Sequence, residues 1–334
     1  MCQTYLMAKD INPPRGMRDF LPAEKAKRES VLGVIKGVYS SFGFQEVETP
    51  ALENLDRLTS GQGGDNEKLA YRVMKRGEEL ERALVDTSEK DNLADLGLRF
   101  DLTVPLTRYY ATNRAELPTV FKAIQTGPVW RAERPQKGRY RQFVQCDIDI
   151  IGDASSLAEI DLLVSSLDAL DSLGLQDAVI RVNHRELLAK NLASLGVGEA
   201  DRPSAMIIID KLDKIEAAGV EKELTERFGE QVGSKAGKWL AEIAADKSVP
   251  NELTEMFEAV ETRHKGRLRF DATLVRGMGY YTGPIFEIEH PASGSSIGGG
   301  GRYDGMVGRW LGTDVPAVGI SLGFERVVDL VDAA

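Results

Sequence analysis

Cationic side chains crowd one segment of this 334-residue chain, Trp130-Arg131-Ala132-Glu133-Arg134-Pro135-Gln136-Lys137-Gly138-Arg139-Tyr140-Arg141-Gln142-Phe143-Val144-Gln145. Five cations and one carboxylate surround a Pro and a Gly, and apolar strand-like runs flank them. A buried strand does not tolerate that much unpaired charge. The segment therefore reads as two antiparallel strands joined by a mobile basic loop, with Arg131 and Glu133 turned into a site and Lys137, Arg139 and Arg141 at its mouth. Guanidinium groups grip phosphate oxygens two at a time, so a polyphosphate is the ligand such a site suits. A solvated charged hairpin is the alternative.

Three further groups of residues have types and spacing that could do chemistry. In Leu274-Val275-Arg276-Gly277-Met278-Gly279-Tyr280-Tyr281-Thr282-Gly283, a lone Arg sits among apolar residues and glycines that let a ligand approach the backbone. The same run also reads as a turn entering a strand, with Tyr280 and Tyr281 on opposite faces and one of them core. Gly298-Gly299-Gly300-Gly301-Arg302-Tyr303-Asp304-Gly305 reads as a flexible loop or as bare backbone on which something flat lies, because four glycines forfeit much conformational entropy. Arg326 follows in Gly319-Ile-Ser-Leu-Gly-Phe-Glu-Arg326, at the start of a closing helix, where a surface arginine is equally ordinary. In Arg99-Phe-Asp101-Leu-Thr103, Asp101 and Thr103 alternate onto one face of a strand end, where they can bind an ammonium or cap the next helix.

The elements that must position these residues follow from periodicity. Val31, Ile35, Val38 and Phe42 predict a helix stopped by Gly43. Short strands are predicted at 44–49, 71–74 and 98–102, and a helix at 103–113 with Pro105 in its first turn. Strands at 120–130 and 143–151 flank the basic segment. Ser156-Leu-Ala-Glu159 reads as a capping box opening a helix with Leu157, Ile160, Leu163, Val164, Leu167 and Leu170 on one face, closed by Gly174. A strand follows at 178–182. Residues 186–266 read as short amphipathic helices with glycine breaks, an inserted helical subdomain. Strand texture returns at 268–271, 280–289 and 315–321. Many short strands without regular βαβ alternation predict an α+β fold, a mixed and mostly antiparallel sheet flanked by helices. The expected domains are a catalytic core in two parts, 1–185 and 267–334, around the insertion at 186–266.

Composition bounds the function. With 42 Lys and Arg against 52 Asp and Glu, the formal charge is −10, so any RNA contact must come from local basic patches. Two cysteines, Cys2 and Cys146, exclude a disulfide framework and fit a reducing cytoplasm. His184, His264 and His290 are the only histidines and none has a second His at metal-ligand spacing. Neither a Walker A run nor G-x-G-x-x-G occurs, and no apolar run approaches a membrane span.

Together these runs resemble the catalytic domain of the histidyl-tRNA synthetases, a class II aminoacyl-tRNA synthetase family, from about Pro14 to Arg326. Gly43 to Pro50 resembles the first class II motif, whose proline lies at the dimer interface. The run from Arg131 to Phe143 resembles the second motif and Gly319 to Arg326 the third. Arg276-Gly277-Met278-Gly279-Tyr280-Tyr281 resembles the signature peculiar to histidyl enzymes, with Gly279 where many members carry Asp. The resemblance implies a histidine–tRNA ligase that forms histidyl-adenylate from L-histidine and ATP and then charges tRNA(His). By the same resemblance Arg131 holds the α-phosphate, Glu133 lies toward adenine, Arg139 nears the β/γ-phosphates, and Arg326 stacks on adenine, with the Gly299–Gly301 backbone bordering the site. Asp101, Thr103 and Gln145 take the α-ammonium. Asp149 and Tyr281 read the imidazole with Tyr280 beside them. Arg276 meets the α-phosphate and the histidine carboxylate. Mg²⁺ on the phosphates, with ligands unassigned, a homodimer and a cytoplasmic location are implied too. The anticodon-binding domain that family members carry after the third motif is expected to be absent here and tRNA binding correspondingly weakened, with the insertion lying on the acceptor stem. The rival within this resemblance is a non-catalytic histidine-sensing subunit of ATP phosphoribosyltransferase, which needs Gln145, Asp149 and Tyr281 but not Arg131, Glu133, Arg139, Arg276 and Arg326 together.

Overall fold

The computed structural model describes residues 11–60, 68–85, 93–135, 138–246, 248–276 and 280–331. Its strands are β1 (Gln45–Val47), β2 (Leu52–Asn54), β3 (Tyr71–Met74), β4 (Ala94–Leu98), β5 (Phe121–Trp130), β6 (Gln142–Ile151), β7 (Val179–His184), β8 (Leu268–Phe270), β9 (Pro284–Glu289), β10 (Gly298–Arg302) and β11 (Ala317–Gly323). Eight of them form one sheet in the order β1-β5-β6-β11-β10-β9-β7-β8. The β1–β5 and β7–β8 pairs at its two edges are parallel and the five pairs between them antiparallel. A small sheet, β2-β4-β3, stands apart. This is the α+β mixed sheet that the sequence predicts.

Strand alternation gives the large sheet two different faces. On β6, Cys146, Ile148 and Ile150 enter the main core, which packs against helices Pro22–Ser41, Ser156–Ser172 and Asn251–Arg263. Gln145, Asp147 and Asp149 face the other way. The first helix places Pro22 in its first turn, buries Val31, Ile35 and Tyr39, and ends before Gly43, whose φ of 83° suits glycine. The helix at Thr103–Asn113 has the predicted bounds.

Several elements differ from expectation, each for a visible reason. Residues 99–102 are not strand, because the ladder with β2 and β3 stops at Leu98. Arg99 turns inward instead and donates to Thr49 O at 2.6 Å and Pro128 O at 3.0 Å. The box at Ser156–Glu159 does not cap its helix: Ser156 Oγ donates to Glu255, and buried Glu159 receives Arg302 at 2.6 and 2.7 Å. Leu157, expected on the apolar face, is 61% exposed. Strand β9 starts at Pro284, so Tyr280–Gly283 precede it as irregular chain. The glycine run is a paired strand in the sheet interior rather than a flexible loop.

The expected insertion divides by its packing. Leu188, Leu192, Met206, Ile209, Leu224 and Leu240 build a separate apolar cluster, whereas Leu253, Met256, Phe257 and Val260 belong to the main core.

Candidate active site

Gln145, Asp147 and Asp149 sit on β6 in register with Gly323, Ser321 and Gly319 of β11. That face opens into a cavity of about 1070 Å³. The eleven residues singled out in the sequence (Asp101, Thr103, Arg131, Glu133, Arg139, Gln145, Asp149, Arg276, Tyr280, Tyr281 and Arg326) all line it. Gly298, Gly299 and Gly300 border it, one residue earlier than expected. Gly277, Met278, Gly279 and Lys137 lie outside the described residues.

Arginines form part of the lining. Arg131 follows β5, donates Nε to Phe100 O at 3.0 Å and lies 5.1 Å from the Phe143 ring centroid. Arg276 pairs with Glu287 and reaches Ser296 Oγ at 3.3 Å. Arg326 opens the closing helix Phe324–Val331 and donates to Ser296 O. Arg139 stands at the mouth, 58% exposed and 3.6 Å from Glu133. Burial and the charges of Arg139 and Arg276 lower the pKa of Arg326. An anion among these three would relieve that repulsion. Arg141, expected at the mouth, braces the loop instead, donating Nε to Glu133 O at 2.9 Å.

A group of carboxyls shares the cavity. Asp101, Asp147 and Asp149 are each at most 7% exposed. Asp101 Oδ1 also accepts the backbone N–H of Val104 at 3.1 Å, in the first turn of the next helix, while the residue lines the cavity. Burial raises the Asp149 pKa to about 7, against the hydrogen bond donated by Tyr303 at 2.5 Å. Burial, then Asp149 and Asp101, hold Asp147 well above the usual carboxylate range. Tyr280 and Tyr281 lie with ring centroids 4.4 Å apart, and burial raises both phenols.

Asp147, Ser321 and Tyr303 line the cavity but were not candidates from the sequence. A signal existed for the first, since it shares strand parity with Gln145 and Asp149. Tyr303 was hidden beside the glycine run, and nothing in the apolar run around Ser321 marks it.

A family model described as histidyl-tRNA synthetase matches residues 16–327. The chain belongs to the histidyl-tRNA synthetase family. A histidine–tRNA ligase of Leifsonia xyli subsp. xyli is 55% identical, over 98% of this chain and 81% of the relative. One of Aeropyrum pernix is 39% identical, over 95% and 73%. The crystal structure of a histidyl-tRNA synthetase from Nostoc sp. PCC 7120 superposes with a TM-score of 0.79 at 30% identity, covering 97% of this chain and 76% of that one. An ATP phosphoribosyltransferase regulatory subunit/histidyl-tRNA synthetase from Bacillus halodurans C also reaches 0.79, covering 97% and 84%, but at 20% identity it shares the fold alone. Membership of the histidyl-tRNA synthetases makes this chain an aminoacyl-tRNA synthetase, a histidine–tRNA ligase acting on histidine, ATP and tRNA. No helix among the described residues is long and apolar enough to cross a membrane.

Proposed function

We propose that the cavity activates L-histidine as histidyl-adenylate, with ATP at the arginine end and the amino acid at the aspartate end. One observation carries this division: a single cavity is lined by arginines that act on one another, Arg139, Arg276 and Arg326, and by carboxyls that act on one another, Asp101, Asp147 and Asp149, with Arg131 within electrostatic reach of Asp147. The histidine carboxylate attacks the α-phosphorus, the bond to the β-bridging oxygen breaks, and pyrophosphate leaves. The nucleophile is already an anion, so no general base is needed. The work is to bring two anions together and to stabilise charge on the phosphorus oxygens. Arg131 and Arg276 do this at the α-phosphate, and guanidinium suits the task because it stays charged. Arg139 holds the β/γ-phosphates, Arg326 stacks on adenine, and Glu133 lies toward it.

Asp101, Thr103 and Gln145 receive the α-ammonium. Asp149 and Tyr281, with Tyr280 beside them, read the imidazole. An apolar competitor leaves those polar groups unpaired, and sites of this kind can discriminate by about 10⁴-fold. The adenylate then passes histidine to the 3′ end of tRNA(His). Among the described residues no group of three or more His, Cys, Asp or Glu forms a metal cage. A Mg²⁺ bound with ATP would neutralise phosphate charge there.

We also propose that two chains pair through the region after Gly43, where β1 is a sheet edge and Leu52, Val120 and Leu157 leave apolar surface exposed. The inserted helical block, 188–243 by its packing, would grip the tRNA acceptor stem.

Histidine-dependent ATP–pyrophosphate exchange with Mg²⁺ present tests the central reading. The purified chain should catalyse it, and Arg276→Ala should abolish it while leaving calorimetric histidine binding measurable. A chain that binds histidine but never exchanges is a sensor, and that outcome would overturn the proposal.

A further inference from the structure

Asp147 has no part in the contacts proposed above, yet it stands in their midst. It is 4% exposed, lines the cavity, and lies between Gln145 and Asp149 on β6. Gln145 Nε2 lies 3.4 and 3.5 Å from its two carboxyl oxygens, and 3.2 Å from Ser321 Oγ on the neighbouring strand. The other end of that amide, Gln145 Oε1, is buried without a hydrogen-bond partner.

An amide's two ends have nearly the same shape and differ in which partners they can bond. A carboxyl and a hydroxyl on one side offer acceptors to the NH₂, which leaves Oε1 as an unsatisfied acceptor. Buried acceptors of this kind are rare and call for a donor. The donor that fits a cavity lined by acidic groups is a cationic N–H.

We propose that Asp147 is a positioning residue for amino-acid binding, fixing the Gln145 amide so that Oε1 receives the α-ammonium of histidine. The inference rests on the assignment of this end of the cavity to histidine. It does not require a third anion there. Burial and the neighbouring Asp149 and Asp101 favour the neutral form of Asp147, and a neutral carboxyl keeps an oxygen that accepts from Nε2. An asparagine offers the same oxygen; an alanine offers none.

Exchange kinetics separate this role from a merely structural one. Asp147→Ala should raise KM for histidine about tenfold, the size of one lost charge-assisted hydrogen bond. KM for ATP and the melting temperature should stay close to those of the unaltered chain. Asp147→Asn should remain within about threefold of it. Because Asp147 acts through Gln145, the double variant Asp147→Ala/Gln145→Leu should be no weaker than Gln145→Leu alone. Should Asp147→Ala fail to fold, Asp147→Val fills the space without an acceptor and is read in the same way. The inference is overturned by an unchanged histidine KM in Asp147→Ala, by equal rises in both KM values, by Asp147→Asn as weak as Asp147→Ala, or by multiplicative losses in the double variant. Absence of exchange and of histidine binding in the unaltered chain removes the assignment of the site itself, and this inference falls with it.

Discussion

Asp149 meets two opposed demands. To accept an imidazole N–H it should be ionised, yet burial raises its pKa to about 7, with Asp101 adding to the shift and only the Tyr303 hydrogen bond opposing it. Its folded-state pKa thus lies above the ordinary carboxylate value of about 3.9. Such a group stabilises the fold fully below that ordinary value, and the contribution is lost as pH rises through about 7. The ligand-free chain therefore carries a strain at neutral pH that bound histidine would relieve. We expect Asp149→Asn, which can still accept from Tyr303, to melt at a higher temperature than the unaltered chain, with a larger gain at pH 8 than at pH 5. Histidine affinity at pH 8 should fall by at least about tenfold, the loss of one hydrogen bond to a charged group. Thermal melts at the two pH values and calorimetry check this; an equal gain at both would show that Asp149 ionisation does not matter.

At the scale of elements, β10 and β11 show two different uses of glycine. A Cβ on Gly300 would come 1.9 Å from the backbone oxygen of Gly319, which the sheet cannot move aside. A Cβ on Gly319 would come 1.9 Å from Asp149 Oδ1, the end of a side chain. Gly300→Ala should therefore reduce stability by about 2 kcal/mol or more, or prevent folding. Gly319→Ala should fold and show its main effect as a raised histidine KM. Melting curves beside exchange kinetics distinguish them, and the reverse pattern would contradict the geometry. Glycine is a poor strand former by propensity, so composition alone left a flexible loop and a bare backbone surface both open at 298–301; the close approach of neighbouring strands makes the run a paired strand, and only the folded sheet reveals it. Elements with clean periodicity, such as the end of the first helix and the β5–β6 hairpin, were legible to within about two residues, as boundaries usually are. The Ser156–Glu159 pattern misled because Glu159 had a better partner in Arg302, 143 residues away. Cavity-lining residues were legible where polar groups interrupt apolar runs or match a family motif. Ser321 and Tyr303 were not, because their meaning depends on which strands become neighbours, whereas strand parity with Gln145 and Asp149 already marks Asp147.

Across the whole molecule, the first and last described helices close on each other at Glu325. Arg28 of the first helix donates to both its carboxyl oxygens, at 2.6 and 2.8 Å, Arg18 pairs with it, and the Val144 N–H donates at 3.1 Å. Arg28 shares the buried stripe of its helix with Val31, Ile35 and Tyr39, a placement that demands a partner the sequence does not name. The partner lies 297 residues away and is adjacent to Arg326, so this cluster fixes the helix start that presents Arg326 to the cavity. Burial resists ionisation of Glu325, but the hydrogen bonds from Arg28 and Val144 prevail and its pKa is lowered. A lowered carboxyl pKa contributes stability that is present above the ordinary value of about 4.3 and is lost as pH falls through the folded-state value. Glu325→Ala leaves Arg28 buried and unpaired, a loss of about 3–5 kcal/mol for a pair of this kind. In urea unfolding the variant should therefore be weaker by that order at pH 7, and the gap should narrow as pH falls below the ordinary carboxyl range and through the lowered folded-state value, where the unaltered chain loses its own pair. KM for ATP should rise more than KM for histidine, because Arg326 moves with the helix start. A stability gap independent of pH would mean that packing, rather than the ion pair, ties the two helices together.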